Sequence, residues 1–316
     1  MDRIHLGIAA ALTAGVLWGF LGLFVRELSS MGFSPIQMTC ARYIVVAAVF
    51  LTFILLRHRR MLSVSFRMLL LFAVMGVIGN LINSVSYFGS MERIPISLAT
   101  ILQYLMPFIV VAASVPLFGE HITRTKAAAL IIAFSGCILC SGVLSDDVPS
   151  DVIGILLGIG SAFFYGTYTL CSSAASERGY RTPTVMLYSA IFCVVASLPF
   201  SNPAEMVALT FSSARSLLLI VGLGVVVTLV PFGLYNVGIN MIGAGRSAII
   251  TYVEPMTATI VGYAFYSEAI TIGTVLGMIL ILISLVAINH ERISATPTGR
   301  TGTRCTSRPA DDDTDA

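Results

Sequence analysis

Glu254 is the carboxylate that the sequence places deepest inside a long apolar segment. A charge at the centre of a membrane helix costs about 2.5–3.5 kcal/mol on insertion scales, so such a residue is retained where it faces a cavity or a partner. Three roles are open: a proton-coupling group, a counter-charge for an amine substrate, or the structural partner of a basic residue. We favour a cavity role, because burial disfavours the charged carboxylate and a neutral acid can exchange a proton.

Arg42 is the basic residue that could pair with this carboxylate. Counted from the ends of their predicted helices, the two residues differ in depth by about 8 Å. A direct ion pair is therefore not favoured, and we expect Arg42 to extend toward the outer interface or to bind carbonyl groups. The predicted helix face of Glu254 is otherwise small or polar, as expected of an aqueous path: Ser247, Thr251, Ala258 and Gly262.

Amides, phenols and the one indole of the chain lie in other apolar segments, where each needs a polar partner. Asn80, Asn83 and Tyr87 share one helix face by their spacing. Such groups either bond between helices or line a cavity whose aromatic rings attract a cationic or planar substrate. The candidate substrate-binding residues are Trp18, Asn83, Tyr87, Gln103, Tyr165, Tyr235, Thr251 and Glu254.

Pro107 and Pro255 each lie in the middle of an apolar segment. A proline removes a helical hydrogen bond and kinks the helix. The carbonyl that it frees then needs a partner from the protein or from water in a cavity. The two prolines are therefore candidate gating positions, with simple bends in the helices as the alternative.

The composition places all these residues in a membrane protein. Of 316 residues, 57% are hydrophobic and 11% are charged, against roughly 45–50% and 25% in soluble domains. A soluble enzyme, a disordered protein and a nucleic-acid binder are thereby excluded, and the formal charge of +2 suggests no polyanion partner. We expect no cofactor and no metal, because the four His residues lie in loops or at segment ends and no phosphate-binding glycine motif occurs.

The elements that position the candidate residues are predicted to be membrane-spanning helices. A helix needs roughly 20 apolar residues to cross the hydrocarbon core, and an open sheet would leave its edge amides unpaired in lipid. The predicted fold is therefore all-α. Ten spans are expected, at about 5–25, 35–56, 68–90, 97–118, 125–143, 152–174, 183–200, 215–241, 246–267 and 272–290.

Most of the 18 Lys and Arg residues fall in ends and loops on one side of these spans. This asymmetry predicts a multi-pass protein of the cytoplasmic membrane with both termini in the cytoplasm. Residues 291–316 have little to bury and are predicted to form a disordered cytoplasmic tail.

The two halves of the chain resemble each other. Three landmarks recur 148 residues apart, Tyr104 as Tyr252, Pro107 as Pro255 and Glu120 as Glu268. Small residues four apart recur at an offset of 147, Gly7, Ala11, Gly15 and Gly19 against Gly154, Gly158, Ala162 and Gly166. These small faces suit close helix packing and, compatibly, sliding of one helix on another. We predict two five-helix repeats, residues 1–147 and 148–290, which insert in opposite orientations because five is odd.

With these motifs the chain resembles the drug/metabolite transporter superfamily, in its ten-helix branch with two EamA-type repeats. The resemblance rests on Trp18-Gly19, Arg42-Tyr43, the run from Pro107 to Glu120 and the run from Glu254-Pro255 to Glu268. It implies export of amino acids or related small metabolites, with alternation between inward and outward states. It leaves the substrate open, since members of similar sequence carry different cargo.

The sequence thus favours a secondary transporter and not an enzyme, with a small-molecule substrate, the lipid bilayer and candidate coupling protons as partners. A non-transporting scaffold or receptor is one alternative, against which the inverted duplication argues. An intramembrane enzyme is the other, and the sequence shows no catalytic set for it. Substrate, coupling ion, direction and oligomeric state are left open.

Overall fold

A computed structural model describes residues 3–57, 59–91, 93–94, 96–140, 151–266 and 270–290. The predicted tail, residues 291–316, and Glu268 lie outside these residues. Within the first half the helices are α1 (Arg3–Trp18), α2 (Leu21–Ser30), α3 (Pro35–Arg57), α4 (Phe66–Val74), α5 (Asn83–Met91), α6 (Ile96–Gln103), α7 (Met106–Phe118) and α8 (Arg124–Cys140). A 3₁₀ turn spans Arg59–Leu62, and a π-helix, Met75–Ile82, joins α4 to α5.

In the second half the structure describes eight further α-helices. They are α9 (Val152–Glu177), α10 (Thr182–Ser197), α11 (Pro203–Thr210), α12 (Ala214–Gly224), α13 (Val230–Ile242), α14 (Ala244–Ile250), α15 (Glu254–Tyr266) and α16 (Ile272–His290). Short 3₁₀ turns occupy Leu198–Phe200 and Thr251–Val253, and a π-helix occupies Val225–Leu229. Within the described residues the chain is helical, with no strand.

Eight helical segments of the described chain are long and apolar enough to cross a bilayer. They are Arg3–Ser30, Pro35–Arg57, Phe66–Met91, Leu98–Phe118, Val152–Glu177, Thr182–Phe200, Ala214–Ile242 and Ala244–Phe265. The apolar stretch Ile272–Ile288 and the 17-residue α8 are shorter. The chain is a multi-pass membrane protein, and the count of ten spans stays a prediction because these two helices are short.

The same turn ends α2 and α9. In each, a glycine adopts a positive φ, 92° at Gly32 and 80° at Gly179. The residue after each glycine donates its backbone N–H to the carbonyl five residues earlier, from Phe33 to Leu28 and from Tyr180 to Ala175. This closure satisfies carbonyls at the helix end and needs a residue without Cβ strain. The equivalent turns lie 147 residues apart, so the offset found in the sequence reappears in the backbone.

The small-residue faces of α1 and α9 pack closely against other helices and loops. A Cβ added at Gly7 would lie 2.8 Å from the Cβ of Met241, and one added at Gly154 would lie 2.9 Å from the Cβ of Arg93. Gly154 follows Gly7 by 147 residues and Met241 follows Arg93 by 148, so the two contacts are equivalent. In this structure the small residues of α1 and α9 therefore allow close static packing.

Helices α8 and α16 pack side by side in opposite directions. Ser284 Oγ donates to the carbonyl of Ala129 at 2.6 Å, whereas a Cβ added at Gly136 would lie 2.7 Å from the carbonyl oxygen of Gly277. Higher residue numbers in α8 therefore meet lower numbers in α16, which makes the pair antiparallel. Both helices begin with the same cap, in which Thr123 Oγ1 accepts from the Lys126 N–H and Thr271 Oγ1 from the Thr274 N–H.

Candidate functional site

Two helices are interrupted just before a proline. Between α6 and α7 the helix stops at Tyr104 and Leu105, and Pro107 is the second residue of α7. Between α14 and α15 a 3₁₀ turn intervenes, and Pro255 is the second residue of α15. Proline suits the first turn of a helix, where its missing N–H would have no intrahelical acceptor. Both expected distortions are present, as breaks before the prolines.

The two breaks touch each other through equivalent tyrosines. The Phe108 N–H bonds to the Leu105 carbonyl, which leaves the Tyr104 carbonyl without its usual α-helical donor. Tyr252 Oη donates to that carbonyl at 2.6 Å, and the two tyrosine rings are 5.8 Å apart. A carbonyl freed in a membrane helix is thus satisfied by the protein, as burial requires.

A cavity of about 60 Å³ lies beside these breaks. Its walls come from both halves of the chain: Trp18, Leu21, Arg42, Tyr43, Asn83, Ser84, Tyr87, Phe88, Gln103, Tyr165, Val227, Phe232 and Glu254. Six residues predicted for substrate binding are among them, namely Trp18, Asn83, Tyr87, Gln103, Tyr165 and Glu254. The volume holds a few water molecules, at roughly 10–15 Å³ each on this measure, and is too small for an amino acid.

Trp18 forms the aromatic wall of this cavity. Its ring meets three others edge to face, at centroid distances of 6.1 Å to Tyr165, 5.0 Å to Phe232 and 5.3 Å to Tyr235. Trp18 is 5% exposed, so the indole lies in the protein interior rather than at an interface belt. Edge-to-face contacts of this kind fix ring orientation as well as burying apolar area.

Two polar pairs contribute to another part of the lining. Gln103 Nε2 donates to Asn83 Oδ1 at 3.2 Å, and Tyr87 Oη lies 3.0 Å from Thr100 Oγ1. Both pairs join α5 to α6. The sequence left two roles open for these amides and this phenol, hydrogen bonding between helices and lining a cavity. In the structure they do both.

The basic and the acidic residue of the cavity, Arg42 and Glu254, do not form an ion pair with each other. Glu254 forms no hydrogen bond or ion pair with any residue that the structure describes. Arg42 is 8% exposed, and its Nη2 donates to Ser84 Oγ at 2.8 Å. The expectation that Arg42 extends to the interface is wrong, because Ser84 and the cavity provide an interior place for the guanidinium that depth counting does not consider.

Tyr235 and Thr251 lie outside the cavity lining. Tyr235 is fully buried, with its Oη 3.1 Å from Thr169 Oγ1, and it supports the wall by packing on Trp18. Thr251 Oγ1 donates to the Ala248 carbonyl of its own segment. The 3₁₀ turn that begins at Thr251 breaks the straight helix on which the predicted polar face depended, and of that face only Glu254 lines the cavity.

A similar change of helical register separates Asn80 from Asn83 and Tyr87. Asn80 belongs to the π-helix, is buried, and does not line the cavity. Sequence reasoning missed four polar or aromatic lining residues, Tyr43, Ser84, Phe88 and Phe232, and it named Arg42 without placing it there. The signal that could have found Arg42 is its charge within a span, which by default marks a functional position.

Glu120 joins the two halves away from the cavity. Its Oε1 accepts the backbone N–H of Ala244 at 3.1 Å, at the start of α14, and its Oε2 lies 2.9 Å from Lys126 Nζ. Gly243 and Gly245 make room for the carboxylate, since a Cβ at either would lie 2.9 Å from one of its oxygens. A carboxylate from the first half therefore caps the broken helix that leads to Glu254.

Comparison with known proteins gives the family. The model of the EamA-like transporter family matches residues 5–142 and again residues 152–290. This chain belongs to that family. As an EamA-like protein it is a membrane transporter, which agrees with its apolar helices and with the resemblance read from its motifs.

Several similar proteins are named as transporters or exporters, and this chain aligns with nearly the whole length of each. An uncharacterized transporter of Archaeoglobus fulgidus is 28% identical over 90% of this chain and 97% of its own, and the uncharacterized inner membrane transporter YicL of Salmonella typhimurium is 25% identical over 92% and 97%. The pseudopaline exporter CntI of Pseudomonas aeruginosa is 24% identical over 92% and 99%. A crystal structure at 20% identity, with a TM-score of 0.72 over 89% of this chain and 95% of the other, has the same fold as this chain.

Proposed function

We propose that this protein is a secondary active transporter that exports small metabolites, amino acids or related amines, across the cytoplasmic membrane by alternating access. The observation that carries the proposal is the cavity, which both halves of the chain line beside two equivalent helix breaks. Transporters with repeated halves bind substrate near the midplane at the interface between the repeats, often where helices are discontinuous.

Several observations support ten spans in two inverted repeats, residues 1–147 and 148–290. The family model matches twice, once in each half. Helices α8 and α16, each the last of its half, are antiparallel and meet through equivalent residues. Tyr104 and Tyr252, also equivalent, touch each other. Equivalent residues meet in pairs near a two-fold axis, and antiparallel equivalents require that axis to lie in the membrane plane.

The breaks before Pro107 and Pro255 are the proposed gating points. A helix that is interrupted at its middle can tilt its two parts separately, because few hydrogen bonds cross the break. The cap that Glu120 provides on α14 joins the two halves of the chain in the present structure. In the proposed cycle this hydrogen bond breaks when the parts of the interrupted helices tilt.

Glu254 is the proposed coupling residue, and the other lining residues form the substrate site. A carboxylate that faces a cavity without a protein partner can take up a proton or an ammonium group in turn. The aromatic wall around Trp18 adds a surface for a cationic or planar group. The cavity must widen to admit such a substrate, which fits a closed state of the cycle. The exporter name of a relative at 24% identity supports the outward direction.

Counterflow in proteoliposomes tests this function. The purified full-length chain is reconstituted, loaded with each member of a panel of amino acids, amines and nucleobases, and assayed with and without a pH gradient. We expect saturable counterflow for a subset of amino acids or amines. Absence of flux with every compound would favour a non-transporting scaffold or receptor. A flux that is the same with and without the pH gradient would exclude protons as the coupling ion.

A further inference from the structure

Another, larger cavity lies where the end of α3 meets the turn between α9 and α10. Its volume is about 570 Å³, within the range of roughly 300–1,000 Å³ that small-molecule sites occupy. None of the candidate substrate-binding residues lines it, and the proposed transport function leaves it unused. Three arginines line it, Arg57, Arg59 and Arg181, and its described lining includes no Asp or Glu.

These arginines come to the cavity from both halves of the chain. Arg57 ends α3 and Arg59 begins the 3₁₀ turn that follows, whereas Arg181 directly precedes α10. All three are exposed. Arg59 Nε donates to the Leu55 carbonyl at 3.0 Å, but the side chains of Arg57 and Arg181 form no hydrogen bond or ion pair with any residue that the structure describes. Their guanidinium groups are therefore available to a ligand.

Hydrogen bonds between the halves fix the walls of this cavity. They run from Thr184 Oγ1 to the Met61 carbonyl at 3.2 Å, from Tyr188 Oη to the Leu62 carbonyl at 2.7 Å, and from the Ser65 N–H to Tyr180 Oη at 3.3 Å. The connection between α3 and α4 is thus attached to α10 and to the turn before it. A cavity whose walls are already joined costs less to order when a ligand binds.

The chemistry of the lining matches a phosphate group. Arginine presents parallel N–H groups in a planar fork, and the oxygens of a phosphate accept two of them at once. The excess of basic residues on the cytoplasmic side accounts for the sign of the charge, but not for the convergence of three arginines on one cavity. Nor does the repeat require it, because Ser34 takes the place of Arg181 in the equivalent turn 147 residues earlier.

The surroundings favour a lipid as the source of that phosphate. Leu56, beside Arg57, is 79% exposed, and Phe66, at the start of α4, is 72% exposed. They lie at the ends of the apolar segments Pro35–Arg57 and Phe66–Met91. The polar headgroup layer begins where such segments leave the hydrocarbon core. Basic pockets between membrane helices on the cytoplasmic side are typical sites for anionic headgroups.

We propose that Arg57 and Arg181 bind the phosphate group of an anionic phospholipid in this cavity. The inference goes beyond the proposed function and does not depend on which substrate is transported. Because Arg57 belongs to the first half of the chain and Arg181 to the second, a phosphate bound to both links the halves as they are arranged in the present structure. Bound lipid therefore favours this state over others in which the two loops separate.

Cysteine protection locates the site. Ser63 lines the cavity and is exposed, whereas Thr123 is exposed and lies outside it. Each is changed to cysteine in a full-length background without native cysteines, and the purified protein in detergent is labelled with a soluble maleimide. Phosphatidylglycerol should slow the labelling of Ser63→Cys about tenfold once it is at ten times its Kd, and it should leave Thr123→Cys unchanged. Phosphatidylcholine and glycerol 3-phosphate should protect neither.

Charge-matched variants assign the protection to the arginines. Arg57→Gln with Arg181→Gln removes one cavity arginine from each half, whereas Arg67→Gln with Arg124→Gln removes two exposed arginines that do not line the cavity. The first pair should raise the phosphatidylglycerol concentration that half-protects Ser63→Cys by about tenfold to hundredfold, the range for losing one hydrogen bond to a charged group. The second pair should change it little, because exposed charges outside the cavity act through screened attraction alone. Lysine at both cavity positions should restore part of the affinity, since it keeps the charge without the fork.

Each outcome decides the proposal. Loss of protection that is confined to the cavity pair supports it, and equal loss in both pairs overturns it in favour of a general attraction between anionic lipid and a basic surface. Equal protection by phosphatidylcholine, or no protection by any of the three compounds, also overturns it. Equal protection by glycerol 3-phosphate overturns the lipid and assigns the site to a soluble phosphate compound. If the cavity pair does not fold, the comparison of compounds on Ser63→Cys still decides.

Discussion

The break before Pro107 and the break before Pro255 occupy equivalent positions in the two halves but carry different chemistry. Each interrupts a helix just ahead of a proline, and each carries one of the two tyrosines that meet. The position before the proline is Met106 in the first break and Glu254 in the second. The two breaks thus share their geometry, while Glu254 adds a carboxyl group to a cavity that Arg42 also lines.

The two breaks also differ in how tightly they are packed. A Cβ added at Gly19 would lie 2.4 Å from the Cβ of Thr257 and 2.9 Å from the Ala258 nitrogen, in the helix that begins with Glu254. A Cβ added at the equivalent Gly166 would lie 3.4 Å from the nearest atom of Ile109, an ordinary contact. The helix with the carboxylate is therefore held more closely than its counterpart.

The largest expected effect comes from removing the asymmetric charge. Glu254→Gln should reduce gradient-driven flux in proteoliposomes to the level of protein-free liposomes, while substrate exchange persists in part, because exchange needs no net proton movement. Met106→Gln places the same amide at the equivalent position and should leave coupling intact. A Glu254→Gln protein with unchanged pH dependence of flux would rule out proton coupling at this residue.

The tight packing of Gly19 predicts the next effect. Gly19→Ala should lower the free energy of unfolding by about 1–3 kcal/mol, because the new methyl group meets a Cβ and a backbone atom that cannot both move away. Gly166→Ala should change it by less than about 1 kcal/mol, with a gain in helix propensity offsetting the contact. Thermal unfolding in one detergent checks both. Equal losses would mean that the two helices are held alike.

An effect of the same order is expected where the two breaks touch. Tyr252→Phe removes the donor to the Tyr104 carbonyl and leaves a buried acceptor unsatisfied, at a cost of about 1–3 kcal/mol. Tyr104→Phe keeps that carbonyl and its donor, so it is the matched control and should be close to neutral. The comparison of their unfolding midpoints tests the asymmetric hydrogen bond, which a larger loss in Tyr104→Phe would contradict.

The smallest effect concerns a contact between the halves at the start of α9. The N–H of Gly154, helped by that of Ile153 and by Arg93, holds the pKa of Asp151 below its ordinary value. A lowered pKa in the folded state means that this stabilisation is present above the ordinary aspartate pKa and is lost as pH falls through the folded value. Asp151→Asn should flatten the acid limb of a stability-against-pH curve slightly. An unchanged acid limb would show that the cap and ion pair add nothing.

Local physics explains which parts of the site the sequence predicts. Pro107 and Pro255 constrain their own backbone wherever they occur, so the breaks follow from the residue type. The repeat predicts that Trp18 and Tyr165 are equivalent, whereas the contact of their rings at 6.1 Å is known from the structure. The closeness of Asn83 to Gln103 follows only in part, because spacing predicts a shared helix face but not the partner helix.

Tertiary packing explains what the sequence does not predict. Thr251 does not line the cavity because a 3₁₀ turn forms at its position, and Asn80 does not line it because a π-helix forms there. Neither turn has a signature in the residues themselves, since both depend on how neighbouring helices pack. The cap of Glu120 on Ala244 joins residues 124 apart, which no local pattern reports.

The opposite orientation of the two halves is the central claim, and cysteine labelling tests it most directly. Thr123 and Thr271 are equivalent, exposed, and cap the last helix of each half. Each is changed to cysteine in a background without native cysteines and treated with a membrane-impermeant maleimide in intact cells and in inside-out vesicles. The account predicts that the two cysteines react from opposite sides of the membrane. Reaction of both from the same side would contradict it.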